Sequence, residues 1–211
     1  MRPVLTSFAL LLLAAVPSRA EESYLPLAEG ATWTYEIRKV AKVAGFVSAK
    51  KEGTATCSCV KLEKVGDVDA WILAWDGEGE DPPSGRIWVQ GGVTGVVVAK
   101  SDADELWVLP ADFDKTECEV EIAGEGGGIT VSSKIEKAEE EIEVPAGTFK
   151  CRKVTSRVNV GGGVKTERIV WYAKGVGIVK IAKRADVGGG VSADKELVLV
   201  KHDPGKSVGG K

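Results

Sequence analysis

The chain predicts an all-β fold: a curved antiparallel sheet or open half-barrel, a β-clam, built from two similar halves with little helix. Apolar residues recur with a period of two along almost the whole length, the signature of strands with one buried face. Glycine, present 26 times, and proline break these runs into lengths that suit hairpins rather than βα units.

The third observation is an echo. Residues 168–179 read RIVWYAKGVGIV and residues 86–97 read RIWVQGGVTGVV. In each, a β-branched and aromatic run meets a glycine-containing turn and a second apolar run, which is a hairpin. Leu25, Pro26 and Thr32 stand at the spacing of Leu109, Pro110 and Thr116, and the run from Ala103 to Leu109 matches that from Ala193 to Leu199 if one residue is inserted. An internal duplication follows, with repeats over about residues 24–109 and 109–200. No long linker separates them, so residues 21–203 are expected as one β domain whose halves share a sheet or face each other.

In chain order, residues 1–20 stand apart. Met1-Arg2 precede a Leu- and Ala-rich core from Val4 to Val16, and Ser18 and Ala20 fit an A-x-A-like site, so this is a secretory signal cleaved near Ala20. It is too short to be a stable membrane span. No cysteine opens the mature chain to carry a lipid anchor, and a secreted or periplasmic address is expected.

Thr32-Trp33-Thr34-Tyr35-Glu36-Ile37 alternates as a strand. Over residues 54–62, Ala55, Cys57 and Cys59 share one face while Thr56, Ser58, Val60 and Leu62 share the other. Further strands are expected at 70–75, 85–90, 93–99, 106–109, 117–123, 129–133, 148–160, 164–173, 176–182 and 196–202. Residues 41–51 fit a short helix or a loop. Apolar parity changes between Phe149 and Cys151 on one side and Val154 and Val158 on the other, which a β-bulge near Arg152-Lys153 reconciles. Residues 134–144 mix helical and strand spacing and read as a strand with a glutamate-rich solvent face. Residues 76–84 and 124–128 are loops, and 204–211 a flexible tail.

The formal charge is −3, and the signal takes away two arginines but no acid. Without a basic stripe the chain is not suited to nucleic acid, so no such partner is expected. Four cysteines, Cys57, Cys59, Cys118 and Cys151, in an exported chain predict disulfides. Cys57 and Cys59 lie two apart on a strand with parallel side chains, a poor geometry for bridging each other. Each is therefore expected to pair with Cys118 or Cys151; binding of a soft metal by free thiolates is the alternative.

The residues Leu25-Pro26-Leu27, Gly30, Trp33 and Tyr35, then Val144-Pro145-Ala146-Gly147-Thr148-Phe149 with Cys151, and Trp171-Tyr172-Ala173 with Gly175-Val176-Gly177-Ile178-Val179-Lys180 carry a resemblance. Together they resemble uncharacterised exported bacterial proteins of the TapB-like group, whose sheets are similar to the LolA and LolB half-barrel. The resemblance implies a strongly curved antiparallel sheet with a concave apolar face, which in the lipoprotein carriers holds acyl chains. The chain departs from those carriers in lacking a long helix to plug that face.

Catalytic signatures are missing. No G-x-S-x-G, H-E-x-x-H, P-loop or dinucleotide motif occurs, and the one histidine, His202, sits beside Asp203 near the C-terminus. Asp76, Glu78, Glu80 and Asp81 read as a solvated acidic loop without the glycine and late glutamate of an EF-hand. No catalytic residue, metal site or cofactor is expected. Trp33, Trp88, Trp171 and Tyr172 are the candidate ligand-binding residues, able to line a concave apolar site, or else simply core.

Three functions fit these observations. One is an exported non-enzymatic binding or carrier protein for a lipid or other amphipathic ligand. Another is a structural or interaction module that meets an envelope protein by strand addition or by its outer face. The third is an enzyme acting on envelope carbohydrate, which would need clustered acids in a cleft.

Overall fold

A computed structural model describes residues 23–43, 46–65, 68–79, 85–90, 96–101, 106–110, 113–122, 129–160, 164–186 and 192–205. The signal segment lies outside them. The described regular structure is strand alone: β1 (Thr32–Val43), β2 (Phe46–Val65), β3 (Val68–Gly79), β4 (Gly85–Gln90), β5 (Val96–Ser101), β6 (Leu106–Pro110), β7 (Glu117–Ile122), β8 (Ile129–Val144), β9 (Gly147–Val160), β10 (Val164–Ala173), β11 (Gly177–Asp186) and β12 (Ser192–Asp203). All twelve form one antiparallel sheet in the order β6-β5-β4-β3-β2-β1-β12-β11-β10-β9-β8-β7. It is two six-strand meanders joined where the first strand pairs the last, from Thr32↔Asp203 to Lys42↔Ser192.

The sheet curls because its centre must bury apolar side chains that a flat sheet would leave wet. The amide of Ala146, in the β8–β9 turn, donates to the carbonyl of Leu199 on β12 at 3.1 Å. Four strand spacings would separate β8 from β12 by about 19 Å on a flat sheet, so this bond exists only if the sheet rolls over. Ile142, Val144, Ala146 and Phe149 ride inward with the hairpin tip. The turn opens at Gly147, whose φ of 133° is a conformation that L side chains rarely adopt.

Alternation dictates which residues enter the interior. Trp33, Tyr35 and Ile37 of β1 are buried, as are Ala55, Cys57 and Cys59 of β2, while Val60 and Leu62 point out and are 44% and 51% exposed. On β9 the buried residues are Cys151, then Val154 and Ser156. The change of parity falls where expected, but the extra residues belong to the neighbouring strand. On β8 the step from Ile135 to Glu139 spans four residues, against two from Val154 to Arg152.

Two other expectations are corrected or extended. Residues 41–51 are neither helix nor loop in their described part: β1 runs to Val43 and β2 begins at Phe46, because alternating Lys, Val and Ala complete a hairpin. β3 continues to Gly79, into the expected acidic loop, pairing Asp76 with Thr56 and Glu78 with Thr54, and residues 80–84 lie outside the described residues. Residues 134–144 are strand throughout, within β8. β12 ends at Asp203, and Gly205 sits against the backbone of Glu29, Gly30 and Ala31. Residues 206–211 and the loop 124–128 lie outside the described residues.

Candidate functional site

The interior is built from aromatic side chains, of which Trp33 and Tyr35 bond their polar groups to backbone carbonyls. Trp33, 4% exposed, donates from Nε1 to the Val176 carbonyl at 2.6 Å and stacks on His202 at 5.5 Å. The Tyr35 hydroxyl donates to the Ile178 carbonyl at 2.9 Å, and its ring stacks on Trp75 at 5.6 Å. Tyr172, 1% exposed, meets the edge of Phe113 at 5.1 Å, and Phe113 stacks on Tyr24 at 4.4 Å. These contacts run from β3 to the segment that precedes β1.

Tyr24 closes that end. Its hydroxyl donates to Glu139 Oε1 at 2.7 Å, and Arg152 and Lys174 each lie 5.6 Å from its ring centre. Arg152 also donates to the Phe113 carbonyl. Burial, reinforced by the hydrogen bond to Glu139, pushes the Tyr24 phenol up to about 12, and burial raises Tyr35 and Tyr172 as well. All three are neutral and packed, and Tyr24 and Tyr35 act as donors.

The structure therefore divides the four expected ligand residues. Trp33 and Tyr172 are core. Trp171 faces the other way on β10: its indole donates to Glu140, and Lys180 lies 5.3 Å above its ring. Trp88 pairs with Ile72 and Lys100 in the sheet, and its side chain lies outside the described residues. Where side chains are described, the concave face is filled by the protein itself.

Cys57, Cys59 and Cys151 are buried free thiols; the side chain of Cys118 lies outside the described residues. Burial raises all three, Cys59 to about 11 and Cys151 to about 12, with Cys57 higher still. A thiolate is the form that ligates metal or attacks a disulfide, so these thiols suit packing better than either chemistry. Among the described residues no group of three or more His, Cys, Asp and Glu could hold a metal ion.

What remains open is the edge. β7 ends the strand order and, among the described residues, pairs only with β8, in the register Glu117↔Lys134 to Ile122↔Ile129. Beside it an open cleft of about 550 Å³ is lined by Glu117, Glu119, Ser132, Lys134, Glu136, Thr155 and Arg157, with Ser133. By strand alternation these side chains, Ser133 apart, lie on the face opposite the buried Ile135 and Val154. Glu136 is bound to Lys153 at 3.0 Å and Arg157 to Glu167 at 3.1 Å, so part of the cleft wall is already ion-paired. Sequence reasoning missed this cleft, although the alternating acids of ECEVEI, residues 117–122, were visible.

These features define a class, the curved antiparallel half-barrel with a self-filled centre. Residues 113–186 match the DUF3108-like family model. Two solved structures share the fold. One is a "putative lipoprotein" from Parabacteroides distasonis, 15% identical, with a TM-score of 0.52, covering 85% of this chain and 98% of its own. The other is a "putative exported protein with YmcC-like fold" from Bacteroides fragilis, 14% identical, with a TM-score of 0.50 and the same coverage. No curated protein matches the sequence. The TapB-like and LolA/LolB likeness rests on the motif residues alone.

Proposed function

We propose that this protein is a non-enzymatic exported component of the cell envelope that engages another protein by adding a strand to its sheet. The observation that carries the reading is the contrast between a concave face filled by Trp33, Tyr35, Trp75 and Tyr172 and a sheet that ends, among the described residues, in strands with one neighbour each. An unpaired edge presents a row of N–H and C=O groups, a ready template for an extended segment. The signal-like residues 1–20 support export, as do the descriptions of the two structural neighbours as a lipoprotein and an exported protein. Carriage of an acyl chain is the weaker reading, since Trp33 and Tyr172 are core and Trp171 faces away.

The same reading makes the two meanders products of duplication. Two of the sequence echoes fall on β4–β5 and β10–β11 and on β6 and β12, which hold equivalent places in the two meanders, and the third runs up to the starts of β1 and β7.

The test is site-specific photocrosslinking in intact cells, with a photoreactive residue at Glu119 on the edge or at Lys180 in the middle of the sheet. A discrete protein adduct at the edge and none at the centre is expected. Lipid released from the purified protein after native mass spectrometry, with no edge adduct, would replace this reading with carriage.

A further inference from the structure

Of the two edges, β7 is the one built to receive a partner, and we infer that its partner is an extended segment with basic residues at alternate positions. The inference rests on the strand-addition reading above and adds to it the edge and the chemistry. β6, at the other end of the order, has five residues, LWVLP, and ends on Pro110, which has no N–H to offer. β7 has six residues, ECEVEI, and no proline. Its length suits a partner of about six residues, roughly 20 Å of extended chain.

Charge selects the occupant. Glu117 and Glu119 are exposed on the edge strand, and the open cleft beside them leaves room for long side chains. The cleft's bases stand one and two strands further in: Lys134 on β8, and Arg157 on β9, where it is held by Glu167. An added strand places alternate residues next to Glu117 and Glu119, where opposite charge is favoured and like charge is not.

A second copy of β7 does not fit. An antiparallel pairing that keeps the two faces matched sets glutamate opposite glutamate. The same acids therefore discourage self-association while leaving the edge open to a basic strand.

Fluorescence anisotropy with the mature protein and a labelled Lys-Val alternating heptapeptide tests this. Saturable, salt-sensitive binding is expected. The double variant E117K/E119K should weaken it by about tenfold or more, as two favourable cross-strand pairs become repulsive, while the protein stays folded with an unfolding transition that shifts only slightly, because Glu117 stands opposite Lys134. A peptide N-methylated at alternate residues, which keeps the charge but loses backbone donors, should not bind. Equal binding of a Glu-Val peptide, or an unchanged affinity in E117K/E119K, would overturn the assignment to β7 and leave strand addition at β6 standing. Equal binding of the N-methylated peptide, or no binding by any peptide, would overturn strand addition itself.

Discussion

β12 and β7 obey the same alternating grammar and meet opposite fates. On β12 three successive residues, Leu197, Val198 and Leu199, are buried, so both faces of the strand are covered. Leu197 and Leu199 face Ile37 and Tyr35 in the interior. Val198 lies between Glu36 and Lys180, and Lys180 is bound to Glu196 at 3.1 Å while Arg38 and Lys51 hold Glu36 at 2.7 and 3.0 Å. The aliphatic stems of these charged residues roof the strand. Among the described residues β7 has no second neighbour, and its described glutamates, Glu117 and Glu119, are exposed. A strand's place in the order, more than its own pattern, decides whether it becomes core or contact surface.

The sharpest way to break the comparison is to empty the centre. Tyr35→Ala removes a fully buried ring, its stacking on Trp75 and its bond to Ile178, and should cost about 3–5 kcal/mol in urea unfolding. A cost near zero would mean that the centre is not a closed core.

A smaller effect is expected where β2 and β3 come closest. Gly53 pairs with Gly79, and a Cβ at Gly53 would stand 1.8 Å from the Glu78 carbonyl oxygen. Gly53→Ala must push two backbones apart, at a cost of about 1–3 kcal/mol. Full stability in this variant would show that the two strands have slack at this point.

Much of the fold was legible because the interior imposes its period on the chain. Ala55, Cys57 and Cys59 alternate with half-buried or exposed neighbours as the sequence implies, and residues 174–176 turn as Lys174-Gly175 predicts, with φ of 70° at Gly175. What alternation cannot report is which strands end up adjacent across long distances in sequence. Nothing local in Thr32–Val43 or Ser192–Asp203 announces that these two strands pair. The same blindness explains the tryptophans: Trp33 and Trp171 look alike as strand aromatics, yet one is core and the other an outer-face residue beside Lys180. The cysteines show it again, since even number and export argue for bridges, while Cys57, Cys59 and Cys151 stand as separate buried thiols.

Acid should loosen the seam between the meanders before it reaches the carboxylates. His202 stacks on Trp33 at the β1–β12 junction, and burial holds its imidazole below the ordinary value, with Asp203 pulling it partly back. The unfolded chain therefore binds the proton more readily than the folded one. The stability from neutral His202 is complete above about pH 6.5 and is lost as the pH falls through the lower folded value. Glu36, lowered by its bonds to Arg38 and Lys51, contributes in a separate window, complete above its unfolded value of 4.5 and lost at lower pH. Unfolding free energies measured between pH 7.5 and 5.5 should fall more steeply for the native protein than for His202→Gln. Parallel slopes would remove His202 from the seam's energetics.

The smallest expected effect is at the edge, and its smallness is the point. Glu119 is exposed, stands opposite Ser132 and belongs to a strand with a single neighbour among the described residues. Glu119→Ala removes no buried surface and no described ion pair, so its effect on unfolding should stay within about 0.5 kcal/mol of zero. Loss of stability comparable to Gly53→Ala would mean that β7 is already held by contacts on its outer side. An unchanged stability leaves Glu119 free to be kept for what it meets rather than for what it supports, which is the property that separates this edge from the seam at β12.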